Sequence, residues 1–276
     1  MLTLRSGAGL HYGDSGSGRP LILLHGSPGS GRAWGRVIKH LPPELRILTP
    51  DLPGYGDSDP LPEPTRQRSA AMAAAIGELI DDCGEPVWLC GHSYGGNVAL
   101  QAALLRPQRI RGLALLEPVV MRALDLSGQS AARVDAQAFF TAYQVRVELA
   151  EPDAIGVMVD FWTGAGAYAK LSAQQKCFLN EAAAKNAKDV QASFMENLAA
   201  AQLKSFDRPV AISFGAASPP LARAIATGLA GLLPQAELLT VPKATHAMLE
   251  THPSDVAALI ARFCRSRLPV SQGVYS

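Results

Sequence analysis

Pro86-Val87-Trp88-Leu89-Cys90-Gly91-His92-Ser93-Tyr94-Gly95-Gly96 passes from an apolar, strand-like pentapeptide into a glycine-rich turn, and Asn97-Val98-Ala99-Leu100-Gln101-Ala102-Ala103-Leu104-Leu105 continues with helical character up to Arg106-Pro107. The order strand, tight turn, helix is what gives G-x-S-x-G its meaning. A serine on a sharply strained turn holds its hydroxyl clear of the sheet, and glycines at 91 and 95 let strand and helix approach closely. The helix that starts beyond Ser93 also aims its first N–H groups at negative charge developing there. Ser93 is therefore the candidate nucleophile.

Outward from this stretch, further short apolar runs occupy residues 20–24, 45–49, 111–116, 209–214 and 236–241, with helical patterns between them. Trp34, Val37, Ile38 and Leu41 share one helical face, as do Val256, Leu259, Ile260 and Phe263. Runs that are apolar throughout, rather than alternating, suit parallel strands covered on both faces, so the expected fold class is α/β with a mostly parallel central sheet flanked by helices. Leu10-His11-Tyr12 followed by Asp14-Ser15-Gly16-Ser17-Gly18 reads as a short edge strand and a turn. Between Glu117 and Pro209 the strand signal stops, and Ala-rich helical patterns broken at Glu151-Pro152 and Gly164-Ala165-Gly166 take over. The division expected is a core of 1–118 and 207–276 with an inserted helical cap over 119–206. That insertion holds nine of the seventeen aromatic residues, most of them needed for its own core, with Phe139, Phe161 and Trp162 as candidates to line a pocket. The final residues, 269–276, read as a frayed tail.

A net charge of +1, with 18% charged and 48% hydrophobic residues, gives ample core material and no electrostatic footprint for nucleic acid or a membrane surface. No run of eighteen apolar residues occurs, so no transmembrane helix is expected. Met1-Leu2-Thr3-Leu4-Arg5-Ser6-Gly7 does not look like a secretory signal, and Cys83, Cys90, Cys177 and Cys264 share no C-x-x-C spacing, which together suit a reducing, cytoplasmic setting. The histidines show neither H-E-x-x-H nor an i, i+4 pair, so neither a metal nor a cofactor is expected.

Three motifs in order resemble the α/β-hydrolase superfamily over almost the whole chain. They are Leu21-Ile22-Leu23-Leu24-His25-Gly26-Ser27-Pro28-Gly29-Ser30, then Pro50-Asp51-Leu52-Pro53-Gly54-Tyr55-Gly56-Asp57-Ser58, and the turn at Ser93. The resemblance implies an α/β-hydrolase fold and an oxyanion hole made by the backbone N–H groups of Ser27 and Tyr94. The Ser27 hydroxyl is either a further donor or a loop cap, and His25 is expected to tie its loop together. The base implied is His246, in Val241-Pro242-Lys243-Ala244-Thr245-His246, after the last strand run. His92, beside the nucleophile, is expected to pack or to line the pocket.

The acid departs from the commonest pattern. Where the family usually carries Asp after its seventh strand, Gly215-Ala216-Ala217-Ser218 presents a hydroxyl, whereas Leu113-Ala114-Leu115-Leu116-Glu117 ends the preceding strand run on a carboxylate. A carboxylate there is unfavourable to bury without a partner, and the order Ser93, Glu117, His246 keeps the family's nucleophile, acid, base sequence. Glu117 is the acid expected, ahead of Asp207, Asp125 or a degraded triad; a structural ion pair with arginine is its bland alternative. The function expected is hydrolysis of a carboxylic ester, or a related acyl bond, of a small, mainly apolar substrate. Lactonase, thioesterase, perhydrolase and carbon–carbon bond hydrolase activities share the same machinery, and a small-molecule receptor on a hydrolase shell is the alternative of another class. A carboxylate nucleophile, required for haloalkane dehalogenase or epoxide hydrolase chemistry, is missing at position 93.

Overall fold

The apolar runs lie side by side because both of their faces are covered. The computed structural model describes residues 1–62 and 68–265, so the tail expected at 269–276 lies outside the described residues. A small ribbon of β1 (Leu2–Thr3) and β2 (Gly9–Leu10) precedes a seven-stranded sheet of β3 (Tyr12–Ser15), β4 (Arg19–Leu24), β5 (Leu45–Pro50), β6 (Val87–His92), β7 (Ile110–Leu116), β8 (Val210–Gly215) and β9 (Ala236–Val241). Their spatial order is β3-β5-β4-β6-β7-β8-β9. All neighbours are parallel except β3, which runs antiparallel to β5 with Tyr12 opposite Pro50 and Ser15 opposite Ile47. Asp14 and Ser15 carry the composition of a turn. They extend β3 instead, and Asp14 takes two hydrogen bonds from Arg46 of the neighbouring strand, at 3.0 and 2.6 Å.

Helices α1 (Gly35–Ile38), α2 (Arg68–Asp82) and α3 (Tyr94–Leu105) connect the first strands, and α9 (Pro220–Leu232), α10 (Met248–Thr251) and α11 (Pro253–Arg265) the last. Between β7 and β8 the chain is helical, with α4 (Arg122–Leu126), α5 (Ser130–Glu148), α6 (Gly156–Thr163), α7 (Ala173–Phe194) and α8 (Ala200–Lys204). One face of the sheet packs on α2, α3 and α9 through residues such as Ile76, Val98 and Ile225. The other packs on α1 and α11, where Trp88 meets Phe263 edge to face at 5.3 Å. No helix among the described residues is long and apolar enough to cross a membrane.

The strands β6, β7 and β8 are central, and their C-terminal ends lie together. Backbone bonds join them there: Ser93 N–H donates to Leu116 O at 3.0 Å, Glu117 N–H to Ser213 O at 2.8 Å, and Val119 N–H to Ser93 O at 3.1 Å. The turns after three strands are thus held in one rigid corner.

Candidate active site

Ser93 sits between β6 and α3 with φ 56° and ψ −126°, a conformation that strains any residue with a side chain. Close approach around it makes glycine necessary at 95, where an added Cβ would come within 2.2 Å of His25 O. Tyr94 opens α3, so its N–H belongs to the first helical turn, which has no intrahelical acceptor.

Three side chains contributed by distant stretches meet at this corner. His246 Nε2 lies 2.9 Å from Ser93 Oγ, and His246 Nδ1 lies 2.6 Å from Glu117 Oε2. The carboxylate accepting at Nδ1 fixes the tautomer in which Nε2 is free to accept the serine proton. Glu117 occupies a positive-φ position (44°) and is only 1% exposed. Burial pushes its carboxyl upward, but bonds from His246, Ser218 and the Gly215 N–H outweigh that and hold it below the usual carboxylate range. Ser218, at the position where an Asp would be usual, therefore points at Glu117 Oε1 and donates to it, while Gly215 N–H donates to the same oxygen at 2.6 Å. Of the other acids weighed, exposed Asp207 pairs with Arg208 at 3.4 Å, and Asp125 with Arg122 at 3.4 Å.

Two rings pack against the imidazole of His246. Trp162 of α6 stacks on it with centroids 4.4 Å apart, and its carbonyl accepts the His246 N–H at 3.4 Å. His92 lies against it at 4.7 Å and bonds the His246 carbonyl through Nε2 at 2.9 Å. Burial and then the neighbouring His246 push His92 down to about 3, so it stays neutral. His25 is fully buried, with Nδ1 donating to Gly26 O at 2.7 Å and Nε2 accepting from Leu52 N–H at 2.9 Å, and burial lowers it to about 4. It stitches the loop after β4 to the loop after β5.

The Ser27 hydroxyl meets partners from two distant elements. It shares a hydrogen bond with Tyr55 Oη at 2.9 Å, while Asn186 of α7 donates to Ser27 O at 2.8 Å and reaches Ser27 Oγ at 3.2 Å. Asn186 is itself oriented by Tyr143 Oη at 2.9 Å. Next along the helix, fully buried Asp189 accepts from Tyr55 Oη and, at 2.5 Å, from Arg68 Nε. Burial raises its carboxyl, opposed by Arg68 and Tyr55. Asn186 and Asp189 are three apart on one face of α7, a signal readable only once that face is known to turn inward.

Two cavities hold Ser93. A recess of 20 Å³ is walled by Tyr94, Val119, Phe140, Val190 and Asp189. Beside it an 840 Å³ cavity runs past His92, His246, Ile155, Val159 and Phe178. Trp162 borders both. Phe139 and Phe161, expected to line the pocket, belong to the lining of neither; they stack on each other at 4.3 Å, and Phe140, one step round α5, faces the recess instead.

A separate grouping of His11, Asp51 and Asp57 brings potential metal-ligating atoms within 4.8 Å of one another. The Asp51 oxygens there accept from Gly31 N–H at 2.7 Å, Asp57 N–H at 2.9 Å and His11 at 3.1 Å, which fits a tether for the loop after β5.

Known proteins resemble this chain in part of its sequence and in its fold. Lipase LipV of Mycobacterium tuberculosis is 42% identical over 115 residues, which is 41% of each chain. The soluble epoxide hydrolase of Corynebacterium sp. is 36% identical over 116 residues, covering 41% of this chain and 40% of the relative. These matches thus span about two-fifths of the relatives' length. In fold, an esterase from Exiguobacterium antarcticum superposes with a TM-score of 0.75 over 95% of this chain and 98% of its own, at 17% identity. The sequence pattern of the alpha/beta hydrolase family matches residues 21–259, from β4 into α11, and the chain is a member of that family.

Proposed function

We propose that the protein is a serine hydrolase that cleaves a carboxylic ester of a small, mainly apolar substrate through an acyl-enzyme. The observation that carries this reading is the continuous relay from Ser93 Oγ through both nitrogens of His246 to Glu117, at 2.9 and 2.6 Å. Ser93 Oγ attacks the ester carbon as His246 Nε2 takes its proton, and Glu117 stabilises the imidazolium. The N–H groups of Ser27 and Tyr94 receive the oxyanion. Collapse breaks the bond to the alkoxy oxygen, which leaves as the alcohol with the proton from Nε2; water, deprotonated by the same nitrogen, then releases the acid and restores Ser93.

Epoxide opening by an alkyl-enzyme ester needs a carboxylate nucleophile, and Ser93 disfavours it despite the likeness to an epoxide hydrolase. In this reading the helices between residues 119 and 206 serve as a cap that closes over the relay. Four free cysteines accord with a cytoplasmic setting. A fluorophosphonate probe tests the proposal: the native protein should label stoichiometrically and Ser93→Ala should not. Equal labelling of the two, or none of the native protein, would remove the reading and leave a receptor on a hydrolase shell.

A further inference from the structure

The two cavities at Ser93 differ about fortyfold in size, 20 against 840 Å³, and stereochemistry assigns one ester half to each. At the tetrahedral carbon one substituent is Ser93 Oγ and one is the oxyanion, facing the Ser27 and Tyr94 N–H groups. The leaving oxygen must reach His246 Nε2, because the nitrogen that took the serine proton returns it to the alkoxide. His246 lines the large cavity and not the recess. The alcohol half therefore runs into the large cavity, and the acyl substituent into the recess past Tyr94.

Resting on the reading of the site as a serine esterase, we infer that the substrate is a short-acyl, acetate-like ester of a bulky, uncharged, apolar alcohol. The recess has room for about one methyl-sized group, given that a single water needs roughly 10–15 Å³ on the same measure. Its walls include Val119, Phe140 and Val190, with Asp189 already occupied by Tyr55 and Arg68. The large cavity is walled by Ile155, Val159, Leu171, Phe178, Leu179 and Leu249; no Lys or Arg is among the described residues that line it, and the carboxylate at its border, Glu250, is paired with Arg36 at 3.3 Å. A phosphorylated or otherwise anionic leaving group would find no counter-charge there. Phe140 and Val190 also border a surface cleft of 340 Å³ beside Gln137 and Gln144, so they form the partition that ends the recess.

Isomeric esters separate the halves cleanly. Octyl acetate and methyl nonanoate have the same atoms with the ester reversed, and kcat/KM should favour octyl acetate by about 10²-fold or more, since a single ill-fitting methylene is worth about 10–200-fold. In the Val190→Ala variant, the ratio of p-nitrophenyl butyrate to p-nitrophenyl acetate turnover should rise by about tenfold as the partition thins. Parity or preference for methyl nonanoate, or an unchanged ratio in Val190→Ala, would overturn the inference while leaving the esterase reading intact. Failure of the native protein to hydrolyse p-nitrophenyl acetate above the Ser93→Ala background would instead defeat the esterase reading itself.

Discussion

Replacing Glu117 by glutamine keeps the shape of the side chain and removes one charge, and the surroundings of that carboxylate determine the outcome. Oε1 accepts from the Gly215 N–H at 2.6 Å and from Ser218, while Oε2 faces His246 Nδ1 at 2.6 Å. The Ser218 hydroxyl can rotate to suit an amide, but the Gly215 N–H cannot. Turning the amide nitrogen toward it would leave a buried donor unpaired, at about 1–3 kcal/mol, so the amide is biased by about 10–10²-fold to aim its nitrogen at Nδ1. The imidazole then accepts at Nδ1 and carries its proton on Nε2, toward Ser93 Oγ, where it cannot act as a base. The acceptor also loses its charge, which weakens stabilisation of the imidazolium by about 1–1.5 kcal/mol, a further factor of about ten. Together these give an expected fall in kcat of about 10²–10³ for Glu117→Gln, with little change in KM. Steady-state hydrolysis of p-nitrophenyl acetate, alongside thermal unfolding to show that the variant is folded, measures it. A folded variant that keeps more than a tenth of the native kcat would refute Glu117 as the group that orients His246.

Other expectations follow from the same geometry. Ser218→Ala removes one of two donors to Glu117 Oε1 but spares Gly215 N–H, so kcat should fall by about tenfold or less and KM should hold; a loss as large as that of Glu117→Gln would assign Ser218 the greater share. Asn186→Ala frees the Ser27 carbonyl from α7, and misplacing the oxyanion donor should lower kcat by about tenfold with folding retained, read from kinetics and circular dichroism. Buried His25 and His92, lowered to about 4 and about 3, stay neutral in the folded chain while their unfolded forms titrate near 6.5. The unfolded chain binds the extra protons, so stability is complete above that value and declines as pH falls toward 4, by about 1.4 kcal/mol per pH unit for each histidine. Urea unfolding between pH 7 and pH 5 should show the decline, and a flat profile would mean that both rings titrate normally.

How much of this was legible in the chain depends on whether the signal was local. The strands of the parallel sheet were, because double burial leaves uninterrupted apolar runs, and the turn at Ser93 was, because strand, glycines and helix are contiguous. Glu117 stood out as a carboxylate closing an apolar strand. The side chains of the inserted helices were not legible in the same way. Phe139 and Phe140 are adjacent and equally apolar, and only the phase of α5 decides which one meets the recess. Asn186 and Asp189 resemble solvent-facing residues of an Ala-rich helix until tertiary packing turns them toward Ser27 and Tyr55. Ser218 stands out in the sequence only as a hydroxyl where Asp is usual, and its donation to the carboxylate of Glu117 depends on the meeting of two strand ends.

The contact between Ser218 and Glu117 makes the two strand ends alternatives rather than reserves for each other. Placing Asp at 218 would set two anions against one another at a site built for a single negative charge, and the protonated member of that couple would no longer steady the imidazole. Moving the acid from one strand end to its neighbour therefore requires that one carboxylate be removed as the other is introduced, and a designer attempting it must exchange both positions at once.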